Sequence, residues 1–141
     1  NADGVTVAFV PSQHWSKRTP FDTNTSLWGS YVLQAKGKTV FVGGDSGYFM
    51  GYREIAKTYP APDLAFMSAG AYRPRWFMHF AHQDEREAAQ AADDLRAKRW
   101  VPVHWGAFRL GDEPAGHPGV SLRRMNPRGL HSAGVGEIIP L

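Results

Sequence analysis

Apolar and polar positions along this chain change period several times, and each change marks an element. Val5-Thr6-Val7-Ala8-Phe9-Val10 is a β-branched run entered from the turn signal Asn1-Ala2-Asp3-Gly4, and it predicts a strand. Leu27 to Ala35 and Lys38 to Val42 predict two more strands, joined at Lys36-Gly37 by a hairpin turn. Tyr52, Ile55, Ala56 and Tyr59 recur at helical spacing, and Pro60 and Pro62 stop them. Leu64 to Met67 predicts a short buried strand that runs into a loop from Ser68 to Trp76. Asp84 with Glu87 three residues on has the form of a capping box, and Ala88, Ala91, Ala92 and Leu95 form the apolar stripe behind it. Trp100 to Val103 predicts a strand, Gly111 to Gly134 reads as loops with a turn of helix, and Val135 to Ile139 predicts a last strand. Strands interleaved with helices in this order predict α/β layers.

Composition narrows the chemistry. With 141 residues the chain is one domain or part of one. Five Trp, five Tyr and eight Phe supply enough burial to exclude disorder as the main state. The absence of cysteine excludes a disulfide framework and a thiolate metal site, so a metal must sit on His nitrogen and carboxylate oxygen. No apolar run reaches the ~18 residues of a membrane span, and no signal-peptide pattern is visible. The formal charge is +3, with Lys and Arg scattered rather than grouped, so no nucleic-acid partner is expected. Location stays open between the cytoplasm and association with a membrane.

The candidate chemistry is positional. His14 follows the first strand, Asp45 follows Val42, His82 lies in the loop after Met67, and His104 closes the strand from Trp100. If those strands lie parallel in one sheet, all four side chains collect at one rim, where layered α/β folds bind ligands. Three His and one Asp suit zinc or a similar divalent metal. Each residue also has a plainer use: His14 and His104 as packed partners of Trp15 and Trp105, Asp45 as a turn carboxylate, His82 as a helix cap. His117 and His131, among Gly and Pro, read as surface residues.

Four strings occur in order: His14-Trp15-Ser16-Lys17-Arg18-Thr19, Gly44-Asp45-Ser46-Gly47-Tyr48, Tyr72-Arg73-Pro74-Arg75-Trp76-Phe77-Met78 and Val103-His104-Trp105-Gly106-Ala107-Phe108. Together they resemble the C-terminal half of a metallo-β-lactamase-fold hydrolase, in the branch of N-acyl-phosphatidylethanolamine phospholipase D and RomA-like proteins. The resemblance runs from Val5 to about Glu113. It implies half of an αββα sandwich: a mixed sheet with helices on one face. It also implies that His14, Asp45 and His104 are metal ligands, with Asp45 bridging two zinc ions per complete domain. His82 matches a non-ligand active-site histidine. Arg18, Arg73 and Arg75 are expected at the same rim, able to pair with a small-molecule or lipid-like anionic substrate.

The expected activity is hydrolysis of a phosphodiester or related ester by metal-activated water. Alternatives are a lactonase-type relative, or a non-catalytic module used for packing or partner binding. Ala81 and Glu85 depart from the branch, which usually carries glutamine and proline there. The signature His-x-His-x-Asp-His is absent. The expected partner is therefore a missing N-terminal half of the same domain, with a homo-oligomer as the other way to cover the sheet.

Overall fold

A computed structural model describes residues 4–141, so Asn1-Ala2-Asp3 of the first turn signal lies outside the described residues. The elements are β1 (Thr6–Pro11), β2 (Gly29–Ala35), β3 (Lys38–Val42), α1 (Gly51–Thr58), β4 (Leu64–Ser68), α2 (Arg75–Met78), α3 (Glu85–Asp94), β5 (Trp100–Val103) and α4 (His117–Met125). The strands form one sheet in the order β1-β2-β3-β4-β5. β2 is antiparallel to both its neighbours, whereas β3, β4 and β5 are mutually parallel. β1, β3, β4 and β5 therefore run the same way and end at a common rim.

Register explains how the two faces differ. Val32 pairs with Phe41, Phe41 with Ala65, and Ala65 with Trp100, so these side chains form one row. That row is buried under Tyr52 and Ile55 of α1, Ala88, Ala91 and Ala92 of α3, and Leu122 of α4. All three longer helices thus cover the same face. One residue along, the side chains alternate to the other face. There Phe9 pairs with Tyr31, Tyr31 with Val42, and Val42 with Phe66. Phe9 and Tyr31 touch edge to face at 5.3 Å, yet remain 46% and 44% exposed, because no helix among the described residues covers them.

Local chemistry sets the boundaries. At the β2–β3 turn Lys36 and Gly37 both have positive φ, 50° and 74°, as a two-residue hairpin turn requires. The capping box of α3 is complete: Asp84 Oδ1 accepts from the Glu87 backbone at 2.9 Å and Glu87 Oε2 accepts from the Asp84 backbone at 3.0 Å. Two expectations fail. Val135 to Ile139 forms no strand, and the free edge of β5 is met earlier in the chain: Trp100 donates to Gly129 and accepts from His131, with Leu130 bridging it in parallel. Val135 and Ile138 are left in solvent. Within the stretch read as loops, α4 runs for nine residues. Pro118 sits in its first turn, where a missing N–H costs nothing, and buried Leu122 anchors it. Among the described residues no helix is long and apolar enough to cross a membrane.

Candidate metal centre

The common rim holds the residues that the spacing singled out. His14 lies three positions beyond β1, Asp45 three beyond β3, His104 directly after β5, and His82 between α2 and α3. His104 has φ of 64°, a left-handed backbone that non-glycine residues seldom adopt. The chain passes it closely at the end of β4: a Cβ on Gly70 would lie 2.0 Å from the His104 carbonyl oxygen, so that position admits only glycine without displacement.

His104 Nε2 lies 3.3 Å from Asp45 Oδ1. The His82 ring stacks on His104 at 5.2 Å, and His14 meets His82 edge to face at 5.4 Å. His14 is itself sandwiched between Trp15 at 4.9 Å and Trp28 at 4.4 Å. Its Nδ1 donates to the Trp15 carbonyl at 2.7 Å, which leaves the lone pair on Nε2. Trp28 donates from its indole to the Asp45 carbonyl at 2.9 Å. Sequence reasoning placed Trp28 in a strand and missed this buttress, for which the linear spacing carries no signal. The packing of His14 against Trp15 is present as its plainer use expects, the Asp45 carboxylate faces His104, and the helix cap is Asp84 rather than His82.

Electrostatics follow from this crowding. The His104 hydrogen bond holds the Asp45 carboxyl below its ordinary value, against a smaller upward pull from burial, and the positive potential of all three imidazoles adds to the lowering. The same bond raises His104. Burial, reinforced by repulsion from His104 and His14, pushes His82 down to about 4, so it is neutral at physiological pH.

These residues fit part of a metal site. Metal–ligand bonds of about 2.0–2.1 Å at a tetrahedral angle put two donor atoms about 3.3 Å apart, the separation that Asp45 Oδ1 and His104 Nε2 show. Among the described residues the buried side-chain polar atoms lacking a hydrogen-bond partner are Ser12 Oγ, His82 Nδ1, Gln83 Oε1 and His104 Nδ1, all from residues at or next to this rim. Yet no group of three or more His, Asp or Glu among the described residues is placed to hold a metal by itself. His14, Asp45 and His104 therefore amount to an incomplete set.

The three arginines are placed differently. Arg75 donates to the His82 carbonyl at 3.1 Å and to Glu87 Oε1 at 2.6 Å, so its guanidinium is engaged in holding the loop. Arg18 and Arg73 are exposed, and neither is ion-paired among the described residues. Arg73 lies over the Tyr72 ring at 6.0 Å. Beside His104 a recess of about 230 Å³ is lined by Trp105, Ala107, Phe108 and Leu110. Glu113, buried although it is a carboxylate, closes this loop by accepting from the Arg73 backbone at 3.0 Å.

Comparison with known proteins decides the family. Residues 1–105 match the model of the beta-lactamase superfamily domain. The chain belongs to this superfamily. It is 30% identical over 112 residues to N-acyl-phosphatidylethanolamine-hydrolyzing phospholipase D 1 of Caenorhabditis elegans, covering 79% of this chain and 32% of the nematode protein. It is 36% identical over 105 residues to outer membrane protein RomA of Klebsiella pneumoniae, covering 74% of this chain and 77% of that protein. The chain spans about a third of the length of the mycobacterial and nematode relatives it matches.

Among solved structures it resembles Igni18, a metallo hydrolase of Ignicoccus hospitalis. The TM-score is 0.71 at 23% identity, over 98% of this chain and 53% of that one. The fold is that of the metallo-β-lactamase hydrolases, and the family is one of metal-dependent hydrolases.

Proposed function

We propose that this chain supplies one side of a metal-dependent hydrolytic centre acting on phosphodiester or related ester bonds of an anionic, lipid-like substrate. The observation that carries the reading is the pairing of Asp45 with His104 at 3.3 Å, with His82 stacked on His104 and His14 against His82, at the shared end of parallel strands.

Asp45, His104 and Nε2 of His14 would hold divalent metal, with zinc suited to this donor set. When bound, such ions lower the pKa of water and offset the charge that develops on the attacked group. The remaining ligands are proposed to come from an N-terminal half bearing His-x-His-x-Asp-His, which would also cover Phe9 and Tyr31. His82, stacked on His104 and without a hydrogen-bond partner at Nδ1 among the described residues, is proposed to contact the anionic group or assist proton transfer. Arg18 and Arg73, exposed and outside any ion pair among the described residues, are suited to an anionic group.

A second reading is a non-catalytic module used for packing or partner binding. The test is to co-express the chain with an N-terminal half of the superfamily, measure metal after dialysis, and assay phosphodiester, carboxylic ester and lactone substrates. Metal retention with phosphodiester turnover that D45A abolishes is the expected result. A complex that retains no metal and turns over none of the three would leave the packing module as the function.

A further inference from the structure

The side chain of Gln13, one position before His14, joins three separate segments of the rim. Its Nε2 donates to the Phe80 carbonyl at 2.9 Å and to the Tyr48 carbonyl at 3.4 Å. Its backbone N–H donates to Ser46 Oγ at 2.9 Å, and its carbonyl accepts from Gly47 N at 2.9 Å, an isolated antiparallel bridge. Ser46 follows Asp45, and Phe80 precedes His82 by two residues. Gln13 therefore ties the His14 segment both to the Asp45 segment and to the His82 segment.

The contact leaves no slack. A Cβ on Gly47 would lie 2.0 Å from the Phe80 oxygen and 2.9 Å from Gln13 Nε2, so three strands of backbone converge on this amide. Gln83, fully buried, reinforces the same junction from the far side, donating to the Tyr52 hydroxyl at 2.7 Å and the Gly47 carbonyl at 3.4 Å. The backbone bridge between Gln13 and Gly47 would survive any substitution at 13. The polar link to Phe80 depends on the side chain alone, beside a looser stack of the Trp15 and Phe80 rings at 6.0 Å.

We propose that Gln13 is a positioning residue: its carboxamide fixes the His82 segment against the segments that carry His14 and Asp45, and so sets the geometry of the centre. The metal-binding arm of this inference rests on the function proposed above; the dynamic arm does not.

The test compares wild type, Gln13→Met, which keeps length but has no donor, and Gln13→Lys, which restores one. In the metal-free chain, the amides of Ala81 and His82, which donate to Met78, should exchange about tenfold faster in the Met variant, while Ala65 in the sheet is unchanged. Zinc alone, titrated by calorimetry, should bind the Met variant about tenfold more weakly, because Gln13 directly precedes His14 and its amide also holds the Tyr48 carbonyl of the Asp45 segment, so that losing it loosens the supports of two proposed ligands. The Lys variant should recover part of both effects. Unchanged exchange at Ala81 and His82 in the Met variant overturns the proposal, whatever the metal result. If the chain alone takes up no zinc, as its incomplete ligand set allows, the exchange data by themselves decide the role of Gln13.

Discussion

Nε2 of His104 lies 3.3 Å from Oδ1 of Asp45, and each group shifts the other's titration. The carboxylate's share of stability is present above its ordinary value of 3.8 and is lost as pH falls through its lowered folded value. The imidazole's share is present below 6.5 and is lost as pH rises through its raised folded value. In chelator-treated protein, Asp45→Asn should therefore reduce stability most near pH 5 and least near pH 9. Urea melts of both proteins across that range check the sign, and equal penalties at the two ends would contradict it.

His82 works in the opposite direction. Its folded value of about 4 lies below the ordinary 6.5, so the stability associated with the neutral ring is complete above 6.5 and drains away as pH falls towards 4. His82→Phe should flatten this part of the stability profile in the metal-free chain. Imidazole NMR should show His82 still neutral at pH 5.5.

Gly70 separates the end of β4 from the backbone of His104. Because a Cβ there meets a carbonyl oxygen at 2.0 Å, and a main chain cannot rotate aside as a flexible side chain can, Gly70→Ala should cost about 1–3 kcal/mol in stability. It should also displace His104 from Asp45, which loss of the raised His104 titration would reveal by NMR.

The arginines divide into a structural one and two free ones. Arg75 binds Glu87 and the His82 carbonyl, so Arg75→Met should cost about 1 kcal/mol, a value kept small because the pair is partly solvated. Arg18→Met and Arg73→Met should leave thermal stability within about 0.5 kcal/mol, the usual range for surface substitutions. If the proposed centre assembles, they should raise KM for an anionic substrate while sparing a neutral ester. Parallel melting and kinetic measurements separate the two classes.

Much of this was legible in the sequence where a single local rule governs. The β2–β3 turn follows from Lys36-Gly37, and α3 from Asp84, Glu87 and its alanines. The gathering of His14, Asp45 and His104 follows from their places after strands, once those strands are parallel. What escaped depended on contacts far apart in the chain. Trp28 buttresses His14 and Asp45 only because the loop before β2 folds back. The edge of β5 is met at Trp100 by Leu130 rather than by the more β-like Val135–Ile139, a pairing that local β-propensity does not reveal. Arg75 looked available to a substrate until Glu87 was seen to hold it.

The turn at Lys36-Gly37 sits at the end of the sheet opposite all of this chemistry, since β3 begins where β1, β4 and β5 also begin. A fluorophore or purification handle grafted there would be separated from the histidines by the full length of a strand. That makes the hairpin a natural attachment point for following assembly with the proposed N-terminal half without perturbing what is being watched.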